Sequence, residues 1–135
     1  AVNAAAARIG GDALAPAQAA AFWEGVREQS EAFFDDAAPL WRLSLPSSAP
    51  AVPLPGRQML EWGGALRWWK TGATAAQVRD AAQRSGGSAT LFRGGDRAGG
   101  VFHPLSPALA KLHRGLKAAF DPSGILSPGR LYAQL

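Results

Sequence analysis

With 135 residues, 47% of them hydrophobic and 18% charged, the chain is long enough to bury one core and is far from a disordered composition. It contains no cysteine, which excludes disulfides, thiolate nucleophiles and cysteine-held metal or iron–sulfur centres, and its apolar runs break well before the roughly 18 residues of a membrane span. The formal charge of +4 is uneven: six acids face Arg8 and Arg27 up to Asp36, and four acids face twelve Lys and Arg from Ala37 onward. Those cations are scattered, with no basic run, zinc-finger spacing or RNP-like motif, which argues against nucleic acid and leaves an anionic small substrate or an acidic partner protein.

Residues 1–9 are alanine-rich and favour a helix that stops at Gly10-Gly11. That helix has a stop but no start, and no initiator methionine precedes it, so the expectation is a fragment of a longer polypeptide. Pro16 suits the first turn of a second helix over 16–33, where Ala19, Phe22, Trp23, Val26, Ser30 and Phe33 recur at helical spacing and Glu24, Arg27, Glu28 and Glu31 turn outward. Phe22 and Trp23 are expected in the core. After Pro39 the period changes to two, with Trp41, Leu43 and Leu45 on one face of a strand over 40–45 and Arg42 and Ser44 on the other. Pro46, Pro50, Pro53, Pro55 and Gly56 then form a connection that is neither helix interior nor central strand.

Two β-favouring runs, 58–62 and 65–70, flank Gly63-Gly64, which supplies the positive φ angles of a two-residue hairpin turn. The turn puts Leu60, Trp62, Arg67 and Trp69 on one face and Met59, Glu61, Leu66 and Trp68 on the other. A sheet covered on one side by its own helices needs no bulky aromatics on the other. Leu60, Trp62 and Trp69, with Arg67, are therefore interface candidates; the alternative is that Trp68 or Trp69 simply shields strand backbone.

Thr74 to Gln77 has the spacing of a capping box, and Val78, Ala81 and Ala82 make a narrow stripe on a three-turn helix ending at Gly86-Gly87. A strand over 88–93 follows, then a glycine-rich loop over 94–100 that lacks the G-x-G-x-x-G order and any G-K-[ST] of a phosphate cradle. Ser106-Pro107 opens the last helix, whose stripe of Leu109, Leu112, Leu116, Ala119 and Phe120 is expected to be buried, with Lys111, Arg114 and Lys117 facing out. His103 and His113 have no carboxylate at metal-ligand spacing, so no metal site is expected. His113 reads as a packed residue, while His103 stays open between a structural and a chemical role. No Ser-His-Asp order or paired-carboxylate signature appears, and no self-sufficient active site is read.

Asp121-Pro122 stops the last helix. Gly124, Pro128 and Gly129 bend the chain after it, leaving Ile125, Leu126, Leu131 and Tyr132 as apolar anchors for a tail that docks, either to close the core or to build a site. The fold class expected is α+β: an antiparallel sheet of strands 40–45, 58–62, 65–70 and 88–93, with helices packed mainly on one face.

The tail F-D-P-S-G-I-L-S-P-G-R resembles the C-terminal signature of FAD-linked oxidases of the vanillyl-alcohol-oxidase type, D-P-x-x-[IVL]-[LF]-[NS]-P-G-[KR]. The hairpin E-W-G-G-A-L-R-W, with F-W-E-G-V-R-E-Q and L-W-R-L-S-L-P before it, is similar to the FAD-binding subunits of bacterial glycolate oxidases, and the likeness runs from about Ile9 to Leu135. The resemblance implies a ferredoxin-like C-terminal cap domain, spanning 1–135, over FAD held mainly by a separate N-terminal domain of the same chain. It also implies oxidation of a 2-hydroxy acid such as glycolate, a second flavoprotein subunit and an iron–sulfur subunit as partners, and a cytoplasmic protein reaching the inner membrane face through those partners. The matched positions are Asp121, Pro122, Gly124, Pro128, Gly129 and Arg130 in the tail and Trp62, Gly63, Gly64, Arg67 and Trp68 in the hairpin. Among them Arg67, Arg130, Asp121, Gly124, Pro128 and Gly129 are the cofactor-binding or substrate-proximal candidates. A planar guanidinium holds an anion with two hydrogen bonds, so Arg67 and Arg130 are the residues to meet a carboxylate or the flavin; the alternative is an ion pair with Glu61 or Asp121. Ser127 stands where many relatives carry asparagine, and the G-H-x-G-D-G-N strand of the lactate-dehydrogenase-like branch is absent, so no catalytic residue is assigned. A free-standing ferredoxin-like interaction module without redox function is the rival reading.

Overall fold

The alternation that starts at Trp41 builds the centre of a four-stranded sheet. The computed structural model describes residues 2–135 and divides into two units, one up to Asp36 and one from Ala37 to Leu135. In the second unit, strands β1 (Leu40–Ser44), β2 (Arg57–Glu61), β3 (Leu66–Lys70) and β4 (Ser88–Arg93) lie in the order β2-β3-β1-β4 with every pairing antiparallel. The α+β class and the antiparallel sheet expected from the pattern are both present.

This is the strand order of a ferredoxin-like split βαβ sheet with one crossover altered. Helix α3 (Ala75–Arg84) joins β3 to β4, but β1 reaches β2 through the proline-rich loop instead of a helix. The loop does a helix's packing work: Val52 is buried in the core, and Ala49 and Leu54 pack against it, beside Trp41, Leu43, Leu45, Trp69, Val78, Ala81, Ala82, Ala89 and Leu91. Gly56 ends the loop at φ 134°, where an added Cβ would lie 2.3 Å from the Lys70 carbonyl oxygen, so only glycine lets loop and strand come this close.

The hairpin forms in the expected register, with Leu60 opposite Arg67 and Gln58 opposite Trp69, but its connection differs. The strands are joined by four residues, a 3-10 turn over Trp62–Gly64 followed by Ala65. Trp62, Gly63 and Gly64 all have positive φ (52°, 60° and 87°), so Trp62 and Ala65 leave the ladder instead of closing it. The register survives because these two residues would have been its last pair.

Trp69, expected on a presented face, is 0% exposed and belongs to the core, which removes it from the interface candidates. The face it shares with Trp41 and Leu43 is the one that α3 and the proline-rich loop cover. Trp68, on the opposite face, is also buried; its indole N–H donates to Glu61 Oε2 at 3.1 Å and its ring meets Phe92 edge-on at 4.9 Å.

α3 is capped as its sequence specifies, with Thr74 Oγ1 accepting from the Gln77 amide. The β4 edge is protected by the segment that follows it: the Leu91 amide donates to the Val101 carbonyl at 2.8 Å and the Ala89 amide to His103 Nδ1 at 3.3 Å. Because the core face is filled by α3 and the proline-rich loop, helix α4 (Pro107–Phe120) finds no room there and buries none of its residues. The expected burial of Leu109, Leu112, Leu116 and Phe120 is therefore corrected: all four are exposed.

In the first unit, α1 (Val2–Ile9) stops at Gly10 and α2 (Pro16–Glu28) stops five residues short of the expected end at Phe33. Gln29 turns left-handed at φ 55°, and the amides of Gln29 and Ser30 both donate to the Gly25 carbonyl, closing the helix as a Schellman-type cap does. Phe22 and Trp23 are 48% and 66% exposed and stack edge-on against each other at 5.2 Å, so their assignment to the core is also corrected. Gly25 is the buried residue of α2.

Candidate functional site at the carboxyl-terminal tail

The tail is organised by one carboxylate. Ser106 caps α4 by accepting from the Leu109 amide at 3.3 Å, and Pro107 fixes the first turn. At the other end Asp121 leaves the helix at φ −138° before Pro122. Its buried carboxylate then accepts from the amides of Ile125 at 3.0 Å and Leu126 at 2.9 Å and pairs with Lys117 Nζ at 2.5 Å. Lys117 also donates to the Leu126 carbonyl. The Lys117 ammonium, and after it the two amides, hold the Asp121 carboxyl below the usual carboxylate range against the opposing effect of burial. Asp121 is thereby a folding residue of the motif, its oxygens committed to the tail that follows.

The rest of the motif shapes the backbone. Gly124 and Gly129 sit at φ 65° and 67°, and Ser127 between them at 45°, a left-handed conformation that serine tolerates less well than asparagine. The Gly129 amide donates to the Leu135 carbonyl at 2.6 Å. Tyr132, the half-buried anchor, donates its hydroxyl to the His103 carbonyl at 2.9 Å, with its ring against Phe102 and His113. The other three expected anchors are not used: Ile125, Leu126 and Leu131 are exposed, because α4 presents the tail to solvent and not to the sheet core.

Between α4 and the tail lies a cleft of about 370 Å³, lined by Leu116, Phe120, Leu126, Leu131 and Leu135 with His113, Lys117, Ser127 and Arg130 among them. Lys117 spends its charge on Asp121. Arg130 is exposed and its guanidinium makes no ion pair or hydrogen bond among the described residues, so it is the cation this apolar cleft offers to an anion. Neither alternative partner foreseen for the arginines is taken: Asp121 pairs with Lys117, and Glu61 accepts from Trp68.

Arg67 is not part of this cleft. It is 4% exposed, and its guanidinium donates to the carbonyls of Gly64 at 3.0 Å, Pro50 at 2.7 Å and Ala49 at 2.5 Å. It fastens the proline-rich loop to the hairpin turn, which corrects its candidacy as an anion-binding group: its donors face protein oxygens. Leu60 and Trp62 remain exposed at the hairpin, Trp62 at 81%.

His103 is a structural acceptor, and burial first, then the Arg79 guanidinium, push its pKa below the ordinary histidine value, in keeping with a neutral ring whose Nδ1 accepts from Ala89. Sequence reasoning missed Lys117, whose place four residues before the motif aspartate is a legible helical ion-pair spacing.

The exposed helix, the committed aspartate and the tail bend fall within one matched segment. Residues 96–131 match the family of FAD linked oxidases, C-terminal domain. The chain as a whole is 46% identical over 134 residues to the Glycolate oxidase subunit GlcE of Escherichia coli (strain K12), an alignment that covers 99% of this chain and 36% of that protein. No solved structure matches the chain. The resemblance to FAD-linked oxidases read from the tail and the hairpin is thus borne out, and the FAD linked oxidase match places the family signature on α4 and the cleft, not on the sheet. Among the described residues no helix is long and apolar enough to cross a membrane, and no cluster of three metal-ligating side chains occurs.

Proposed function

We propose that the chain is the C-terminal domain of a flavin-dependent 2-hydroxy-acid oxidase subunit acting on glycolate, a domain that covers the FAD site and contacts partner subunits. The observation that carries the proposal is the 46% identity to a glycolate oxidase subunit along 99% of the chain, which spans 36% of that relative's length and so leaves room for a separate flavin-holding domain. The structure supports a covering role: Leu109, Leu112, Leu116 and Phe120 on α4 and Ile125, Leu126 and Leu131 on the tail are all exposed, an apolar surface of the kind that a neighbouring domain or subunit removes from water. Leu60 and Trp62 are also exposed at the hairpin, and tryptophan is a residue type enriched at interfaces.

The residues fit FAD as a cover and not as its holder. The glycine-rich loop over 94–100 lacks the order of a phosphate cradle, while the cleft joins apolar walls to the cationic Arg130. FAD when bound would accept the hydride of the 2-hydroxy acid. On this reading Leu116, Phe120 and Leu131 would keep water from the flavin, Arg130 would orient a carboxylate or other anionic group, and Lys117 with Asp121 keeps the tail in place. The second flavoprotein subunit and an iron–sulfur subunit are the partners proposed for the remaining apolar surface, with the membrane reached through them.

Flavin content and glycolate oxidation provide the test, measured on the 135-residue chain and on the longer polypeptide that contains it. The chain alone should be colourless and inactive, and the longer polypeptide should carry FAD. A yellow preparation with one flavin per 135-residue chain would overturn the cover assignment.

A further inference from the structure

Arg130 also lines a second cavity, to which no residue of α4 contributes. It measures about 550 Å³ and is lined by the glycine-rich loop and the following segment, including Arg97, Phe102 and Leu105, on one side and by the tail, including Arg130, Tyr132 and Gln134, on the other. No aspartate or glutamate lines it. Arg97 and Arg130 are both exposed at this cavity, and neither guanidinium makes an ion pair or hydrogen bond among the described residues. The acid next to Arg97 in sequence, Asp96, turns Oδ1 to the Ala98 amide at 2.8 Å and lines a different cavity with Trp41.

The two arginine-bearing segments are held in place. Arg97 opens a turn closed by the Gly100 amide on its own carbonyl at 2.9 Å, and Arg79 donates to the carbonyls of Gly99 at 3.4 Å and Gly100 at 2.6 Å. On the far side, the Tyr132 hydroxyl bonds the His103 carbonyl at 2.9 Å and its ring lies 5.9 Å from that of Phe102, which ties tail to loop. A concave surface that carries two uncompensated cations and no carboxylate concentrates anions from solution.

We propose that this cavity is an anion-binding site in which Arg97 and Arg130 together hold the oxygens of a carboxylate or phosphate group, with Phe102, Leu105 and Tyr132 against the body of the ligand. The site shares Arg130 with the α4 cleft but adds Arg97, which takes no part in that cleft, and binding here requires neither flavin nor a hydride donor, so its failure leaves the flavin-covering reading standing.

The test is calorimetric titration of the intact chain with oxalate and, separately, with pyrophosphate at low ionic strength, with circular dichroism to verify folding. Saturable binding of one ligand per chain is expected. Arg97→Gln and Arg130→Gln should each weaken it about tenfold or more, the scale of one lost charge-assisted interaction. Lys111→Gln, which removes an exposed α4 cation outside the cavity, should leave the affinity unchanged. Arg97→Lys keeps the charge but loses the two-pronged geometry and should fall between, a reading that stands even where the glutamine variant does not fold. Tighter oxalate binding assigns a carboxylate ligand and tighter pyrophosphate binding a phosphate. Absence of saturable binding by both, or equal weakening by Lys111→Gln and Arg97→Gln, overturns the site.

Discussion

Replacing Arg67 by methionine keeps the packing of its stem and removes every hydrogen bond from the guanidinium to Ala49, Pro50 and Gly64. A hydrogen bond to a charged group contributes about 1.5–3 kcal/mol, and three carbonyls lose their donor at once. They share one guanidinium and can partly rehydrate, so the sum is not additive, and a loss of about 3–5 kcal/mol is expected, below the additive sum of three such bonds. Domains of this kind are stable by about 5–15 kcal/mol, so the variant should still fold in most of that range, with a Tm lower by roughly 10–18 °C. Urea unfolding followed by tryptophan fluorescence measures it, with an unchanged m-value to show that the denatured state is the same. Arg130→Met is the control and should change stability by less than about 0.5 kcal/mol, since the Arg130 side chain is exposed and its guanidinium bonds nothing among the described residues. If Arg67→Met also stays within about 0.5 kcal/mol, the loop-fastening role is refuted and Arg67 returns to candidacy as a ligand-binding group.

Trp69→Ala empties a fully buried site and should destabilise by about 3–5 kcal/mol in the same assay, whereas Trp62→Ala at the exposed turn should stay within about 0.5 kcal/mol. Ser127→Asn should stabilise by a few tenths up to about 1 kcal/mol, because asparagine tolerates the left-handed φ of 45° better than serine; a loss of stability would contradict that backbone reading. His103 has a folded pKa below its unfolded value of about 6.5, so the unfolded chain takes up a proton first and stability should fall as pH drops through that value and level off below the folded pKa. His103→Gln, which keeps an acceptor, should flatten that step in a Tm-against-pH series. For Asp121 the folded pKa is also lowered, so its contribution is present above the ordinary carboxylate range and is lost as pH falls through the folded value. Lys117→Met should therefore move acid unfolding to higher pH.

The sequence by itself determined what local chemistry dictates: the four strands, the hairpin register, the Thr74 and Ser106 caps, and the helix stops at Gly10 and Asp121 all follow from period, capping residues and proline. The family signature was equally local, because D-P-x-x-x-x-S-P-G-R spells a helix stop, a carboxylate that gathers amides and three left-handed residues within a few positions. What only the tertiary structure decided was the destination of each apolar or charged face. The stripes on α2 and α4 have the period of core helices, yet Trp23 and Leu112 are exposed; for α4, the core face of the sheet is already filled by α3 and a proline-rich loop with no helical period. Arg67 and Arg130 look alike as motif arginines, but one is enclosed by three carbonyls and the other stands free on a cleft, a difference set by residues 17 and 18 positions away in the chain. Spacing reports which side chains share a face; which face is covered, and by what, depends on how much surface the rest of the fold has already occupied.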